Sequence, residues 1–131
     1  MIFVDSSFWV GLSDELDERH EEAVLLWRSG TSPLLTTNHV VGETWTFLRR
    51  RHCHEVAMRF LDRSGRSERL EIAFVGRELE HDAWAWLRQH DERPYSFVDA
   101  TSFAVMRHRR IAEAYAFDGD FAAAGFAELS P

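Results

Sequence analysis

Four carboxylates interrupt apolar stretches rather than polar ones. Asp5 follows Ile2-Phe3-Val4 and precedes Ser6, Ser7 and a second apolar run, Phe8-Trp9-Val10. Glu43 sits beside the row holding Val40 and Phe47, Asp99 lies between Val98 and Ala100, and Asp118 follows Ala116-Phe117. A carboxylate taken out of water needs a cation, a hydrogen-bond donor or a proton. Carboxylates gathered at one point repel unless a divalent cation neutralises them, and an oxygen-only ligand set suits Mg²⁺ or Mn²⁺. The chemistry such a set supports is metal-assisted hydrolysis of a phosphodiester.

Each acid also has a plain local explanation. Asp5 fits the cap of the helix that follows it, and Ser96-x-x-Asp99 fits a capping box. Asp118-Gly119 is an ordinary turn pair, and Glu43 suits the solvated edge of a helix. Taken together the four strain these explanations, because all fall at strand ends or on the helices after strands or turns. In a parallel sheet that is one edge, the edge where ligands gather.

The elements that must bring them there follow from hydrophobic period and punctuation. Strands are expected at residues 2–4, 34–37, 70–75, 114–117 and 126–129. The first helix opens after Ser6; 13–18 is a solvated acidic turn. Further helices are expected at 19–28, 38–51, 55–62, 78–90, 96–110 and 121–124. Gly30, Ser32-Pro33, His52-Cys53-His54, Ser64-Gly65 and Pro94 punctuate them. Asn38 is a suitable helix cap. Val40, Val41, Thr44, Phe47 and Leu48 share one helix face, and Ala83, Trp84 and Leu87 another. The segment 96–110 is apolar nearly all round, so it belongs in the interior. Strands alternating with helices give an α/β fold of one domain, residues 1–131, with a central, mostly parallel sheet flanked by helices in three layers.

Composition narrows the function. No segment approaches the roughly 20 apolar residues of a membrane span, and an acid at position 5 without a basic region argues against a signal peptide. Cys53 is alone, so no internal disulfide forms, which suits a cytoplasmic setting. The formal charge of −7 excludes nucleic-acid coating by bulk charge. It does not exclude an enzyme whose bound metal ions or clustered cations supply a local positive field. Every cation is arginine, with none of the lysine that a phosphoreceiver domain needs beside its acids.

The ordered set Val4-Asp5-Ser-Ser-Phe-Trp, Asn38-x₄-Glu43, Phe97-Val98-Asp99-Ala100 and Ala116-Phe117-Asp118-Gly-Asp-Phe121 with Gly125-Phe126 resembles the PIN domain, and within it the VapC-type ribonuclease toxins of toxin–antitoxin pairs. The resemblance spans residues 2–129. It implies a PIN-like fold and an acidic metal site of Asp5, Glu43, Asp99 and Asp118 holding Mg²⁺ or Mn²⁺. It further implies Asp120 as an extra ligand or surface acid, and Ser7 as a hydroxyl bonded to a carboxylate or phosphate. An RNA substrate, a VapB-type antitoxin and a homodimer follow from the same resemblance. The alternatives are a PIN-like RNA-processing nuclease outside any such pair and an interaction module without activity.

Two basic clusters, Arg49-Arg50-Arg51 and Arg107-His108-Arg109-Arg110, sit near helix C-termini, where they complement the dipole or offer a track for phosphates. Trp9 and Trp45 belong to the core or to a groove for the antitoxin's terminal helix. His52-Cys53-His54 offers soft ligands but no distant partners.

Overall fold

The computed structural model describes residues 1–131. In chain order the elements are β1 (Ile2–Val4), α1 (Ser6–Ser13), α2 (His20–Ser29), β2 (Leu34–Thr37), α3 (Asn38–Arg51) and α4 (His54–Arg66). There follow β3 (Leu70–Ala73), α5 (Arg77–Gln89), α6 (Phe97–Arg109), β4 (Glu113–Tyr115), α7 (Asp120–Ala123) and β5 (Ala127–Glu128). The five strands form one sheet in the order β3-β2-β1-β4-β5, and every pairing is parallel. No helix is long and apolar enough to cross a membrane.

That order creates the feature on which the site depends. The chain steps outward from β1 to β2 to β3, then returns through α5 and α6 to lay β4 on the other side of β1. Right-handed crossovers therefore put α1–α4 on one face of the sheet and α5–α7 on the other. The reversal leaves a crevice beyond the carboxyl ends of β1 and β4, where open sheets bind ligands.

The inner strands read as continuous apolar runs because both faces are covered. All three residues of β1 and all four of β2 are buried. The two β2 threonines are satisfied locally: Thr36 Oγ1 donates to the Val4 carbonyl at 2.8 Å, and Thr37 Oγ1 accepts from Val40 N–H at 3.1 Å. Thr37, not Asn38, thus caps α3, since the last strand residue is already extended with its hydroxyl over the first turn. Asn38 instead accepts the Val75 N–H at 2.8 Å, which ends β3 at Ala73 while Val75 still packs in the core.

The helix α6 is buried from Asp99 to Met106, as its composition requires. Around Phe103 pack Trp86, Tyr95, Phe121 and Phe126, with ring centroids 4.9–5.8 Å away. This aromatic layer clamps α6 between α5 and the last strand.

Three sequence expectations are corrected. The helix α4 runs through Ser64-Gly65 to Arg66, because Ser64 Oγ donates to the Leu61 carbonyl at 2.9 Å inside the turn. Phe47 and Trp84 face solvent, 41% and 52% exposed. The buried line of α3 is Val40-Thr44-Leu48, strictly four apart, and Phe47 falls about 60° to one side of its middle, at the edge of the packed face. In α5 the inward aromatic is Trp86, and Trp84 lies outside, stacked on Phe97 at 4.4 Å.

Phe103→Ala is expected to cost about 3–5 kcal/mol, because a fully buried ring is removed from a layer with no mobile filler. A urea titration checks this as a lower midpoint at unchanged slope.

Candidate functional site

Asp5 begins where β1 ends. Its N–H donates to the Tyr115 carbonyl of β4 at 3.0 Å, so the backbone at the acid is tied to the neighbouring strand. Its carboxyl caps α1: Oδ2 accepts from Ser7 N–H at 3.2 Å and from Ser7 Oγ at 2.7 Å. Ser7 Oγ in turn accepts the Phe117 N–H at 3.0 Å. One hydroxyl thus joins the first acid to the segment leading to Asp118. The other Asp5 oxygen, Oδ1, is buried and has no partner.

Asp99 arrives from the opposite layer. It is 8% exposed and forms the expected capping box: Ser96 N–H donates to Asp99 Oδ2 at 3.1 Å, and Asp99 N–H to Ser96 Oγ at 3.0 Å. Asp118 sits on the open side of the crevice in a turn that Gly119 closes at φ 84, a conformation that disfavours a side chain. Asp99, Asp118 and Asp120 each present an oxygen within 4.8 Å of the others. Asp120 is already engaged, its Oδ1 accepting from Nε and Nη2 of Arg93 at 3.0 and 2.8 Å.

Asp5 and Glu43 both stand outside that trio, although the Asp5 carboxyl feels the charges of Asp118 and Asp99. Half-buried on α3, Glu43 accepts from Ser6 Oγ at 2.7 Å and so is fastened to the residue next to Asp5. The structure therefore gathers Asp99, Asp118 and Asp120 at the crevice, sets Asp5 behind them at the end of β1 within reach of the Asp118 and Asp99 charges, and sets Glu43 at the margin. Ser6 and Arg93 escaped the sequence reading. Ser6 was visible as a neighbour of Asp5, whereas Arg93 carries no local signal, its partner lying 27 positions away.

The acids strain against one another. Burial first, then the charges of Asp118 and Asp99, push the Asp5 carboxyl up to about 7, against the hydrogen bonds from Ser7. Burial and the Asp118 and Asp120 charges push Asp99 up to about 6, opposed by Ser96. Asp118, exposed as a residue, is also raised, by partial desolvation against the surrounding chain and by the Asp120 and Glu128 charges. A divalent cation would relieve this repulsion and give the orphaned Asp5 Oδ1 a partner. The set is all oxygen, as Mg²⁺ and Mn²⁺ prefer. The residues fit the metal.

Other sequence candidates fall elsewhere. Trp9 is fully buried against Trp27 and Phe60, and its large ring is core rather than groove lining. Trp45 is half-buried beside His54. His52 pairs with Asp14 at 3.0 Å, so the three soft ligands at 52–54 turn to different neighbours. Arg109 binds Glu71 on β3 with two bonds of 3.0 and 2.8 Å. At about 1.5 Å per residue, Arg109 ends α6 roughly 15 Å from Asp99, at the opposite edge of the sheet.

The chain's residues 2–127 match the family model described as the PIN domain. The 23S rRNA-specific endonuclease VapC20 of Mycobacterium tuberculosis is 53% identical, with the alignment covering 100% of this chain and 99% of that protein. The crystal structure of M. tuberculosis VapC20, described as a Sarcin-Ricin loop cleaving toxin, superposes with a TM-score of 0.96 at 52% identity, covering 100% of both chains. A toxin–antitoxin complex from Klebsiella pneumoniae shares the fold, with a TM-score of 0.64 at 16% identity over 94% of this chain and 91% of that one.

The raised carboxyls predict a pH dependence. A carboxyl whose pKa is higher in the folded state than in the unfolded chain binds its proton more tightly when folded. For metal-free protein, Asp5 therefore costs stability progressively as pH rises from 3.8 toward about 7. Asp5→Asn removes this loss, so its melting temperature relative to wild type is expected to climb between pH 5 and pH 8. Thermal melts in EDTA check the sign. Adding Mg²⁺ is expected to raise the wild-type melting temperature more at pH 8 than at pH 5, and to leave the variant nearly unmoved.

Proposed function

The chain belongs to the PIN-domain family, of the VapC type, and from that premise we propose that it is a Mg²⁺-dependent endoribonuclease toxin that hydrolyses a phosphodiester in a ribosomal RNA loop. The observation that carries this reading is the crevice beyond β1 and β4, where Asp99, Asp118 and Asp120 crowd together beside a buried Asp5 whose Oδ1 lacks a partner. The substrate class rests on the relative of 53% identity, named as specific for 23S rRNA.

Asp5, Asp99 and Asp118, with Glu43, are the residues that would hold one or two Mg²⁺ or Mn²⁺ ions. When bound, such ions supply an activated water and offset the charge of the phosphate. The chain's own contribution is orientation. Ser7 fixes the Asp5 carboxyl while tying it to Phe117; Ser6 fixes Glu43; the capping box fixes Asp99. In each case one oxygen is used by the protein and another is left for a ligand. Arg93 neutralises Asp120, so we assign Asp120 a supporting role at the rim rather than a place among the ligands.

An antitoxin partner of the VapB type is supported by a groove of about 710 Å³ between the α1–α2 connection and α4. Its apolar floor of Val24, Trp27, Val56 and Phe60 is bordered by Arg28, Arg59 and Arg63 along one side and by Asp14 and Glu15 at one end, which suits an amphipathic helix carrying acids against the arginines. A homodimer is supported by Phe74 and Trp84, large apolar side chains 78% and 52% exposed. The cytoplasm, where ribosomes are reached, is the proposed location, and residues 1–131 act as one catalytic unit.

Mapping RNA ends after incubating ribosomes with the purified chain tests the activity. Cleavage within a ribosomal loop is expected in Mg²⁺ or Mn²⁺ and not in EDTA. Asp5→Asn and Asp99→Asn are each expected to lose at least about 100-fold in rate, in line with the loss of a metal ligand or its support, with the fold intact by circular dichroism. Normal turnover by either variant, or cleavage indifferent to EDTA, would overturn the proposal.

A further inference from the structure

A second cavity, of about 790 Å³, opens along the outward face of α3 and shares Glu43 with the site just described. Its wall is built by the helical period: His39, Glu43, Thr46-Phe47 and Arg50-Arg51 recur three and four apart on one face. Val98, next to Asp99, closes it from α6, so the cavity leads directly away from the acids.

Three features of this wall point to a ligand. Phe47 offers its ring to solvent at 41% exposure, although the inner face of the same helix is fully packed. The Arg51 guanidinium lies over that ring, 5.5 Å from its centre. Neither Arg50 nor Arg51 forms an ion pair, a condition they share with most of the chain's arginines, but these two line a cavity that also holds an exposed ring. Helical side chains lean toward the N-terminus, and Arg51 does so over Phe47, one turn back along the helix. Asn38, at the near end of the wall, gives its carbonyl oxygen to Val75 and keeps its amide hydrogens. An exposed ring, unpaired guanidiniums and a free amide donor are what proteins use to hold an unstacked base and its phosphate.

We propose that this cavity is a substrate subsite for the nucleotide flanking the scissile phosphate, with its base stacked on Phe47 and its phosphate met by Arg50 and Arg51. The inference rests on the ribonuclease reading above and assigns it a specificity surface. A second copy of the chain is the less suited occupant, because interface cores are depleted of charge and this wall carries three charged groups. The Arg107–Arg110 cluster, at the far edge of the sheet, cannot serve the same phosphate.

The test uses an RNA hairpin carrying the mapped cut site, with Phe47→Ala, Phe47→Tyr and Arg50→Gln. Phe47→Ala is expected to raise KM about tenfold, the range of one lost base stack, with kcat changed by no more than about threefold. Phe47→Tyr, which keeps the ring, restores the wild-type KM. An abasic substitution beside the cut is expected to cost the wild type the same factor and to cost Phe47→Ala nothing more. Binding is read separately in the cleavage-deficient Asp99→Asn background, where Arg50→Gln lowers the salt dependence by about one phosphate contact. Equal losses from abasic sites at every position in both proteins would overturn the subsite. So would a Phe47→Ala variant that sediments as a different oligomer while KM stays unchanged, which would assign the face to a second copy. If the wild type leaves RNA uncut while Asp99→Asn still binds it through Phe47 and Arg50, the hydrolysis reading falls and the subsite stands.

Discussion

Carboxylates that repel one another stay together only if the backbone holding them is stiffer than the repulsion. Here that stiffness comes from the parallel pairing of β1 with β4, Phe3 opposite Ala114 and Val4 opposite Tyr115. The Asp5 N–H continues the ladder onto Tyr115, and Thr36 ties the end of β1 to β2 on the other side. Asp5 cannot withdraw from Asp118 without breaking the centre of the sheet. Burial first and the neighbouring charges second hold the Asp5 and Asp99 carboxyls above the usual carboxylate range, an effect that a bound cation would oppose.

Capping and metal binding, read from sequence as competing explanations, are compatible. A helix cap needs one acceptor oxygen near the first free N–H groups, and a carboxylate has two. Asp5 gives Oδ2 to Ser7 and Asp99 gives Oδ2 to Ser96, which fixes both side chains in rotation. The cap uses one oxygen and leaves the other without a protein partner at Asp5. The same economy explains Ser7, whose hydroxyl donates to Asp5 and accepts from Phe117, so that positioning the first acid also positions the turn bearing the last.

The helix α3 divides its two faces between fold and surface. Val40, Thr44 and Leu48 lock it to the core, while the flanking face carries Glu43 and leaves a ring and two guanidiniums without ion pairs in the open. An acidic chain can thus present a local cationic surface beside an acidic centre. The second arginine cluster has a structural use instead, with Arg109 fastening the far end of α6 to the edge strand β3.

Much was legible in the sequence because it is local. Residues 2–4, 34–37 and the apolar helix before Arg110 announce themselves by period and punctuation, and the four acids stand out by their apolar neighbours. The capping box of Ser96 and Asp99 is likewise a matter of three positions. Other features are pairings across the chain. That Thr37 and not Asn38 caps α3 follows from where Val75 lands; that Trp84 is outside and Trp86 inside follows from where Phe97 and Phe103 lie. Ser6 with Glu43 and Arg93 with Asp120 are separated by 37 and 27 positions. Such partners are chosen by the strand order β3-β2-β1-β4-β5, which brings β1 and β4 together across more than a hundred residues. Local periodicity determines which side chains are buried and which acids are unusual. Only the assembled sheet decides which of them meet, because contact depends on packing in three dimensions and not on spacing along the chain.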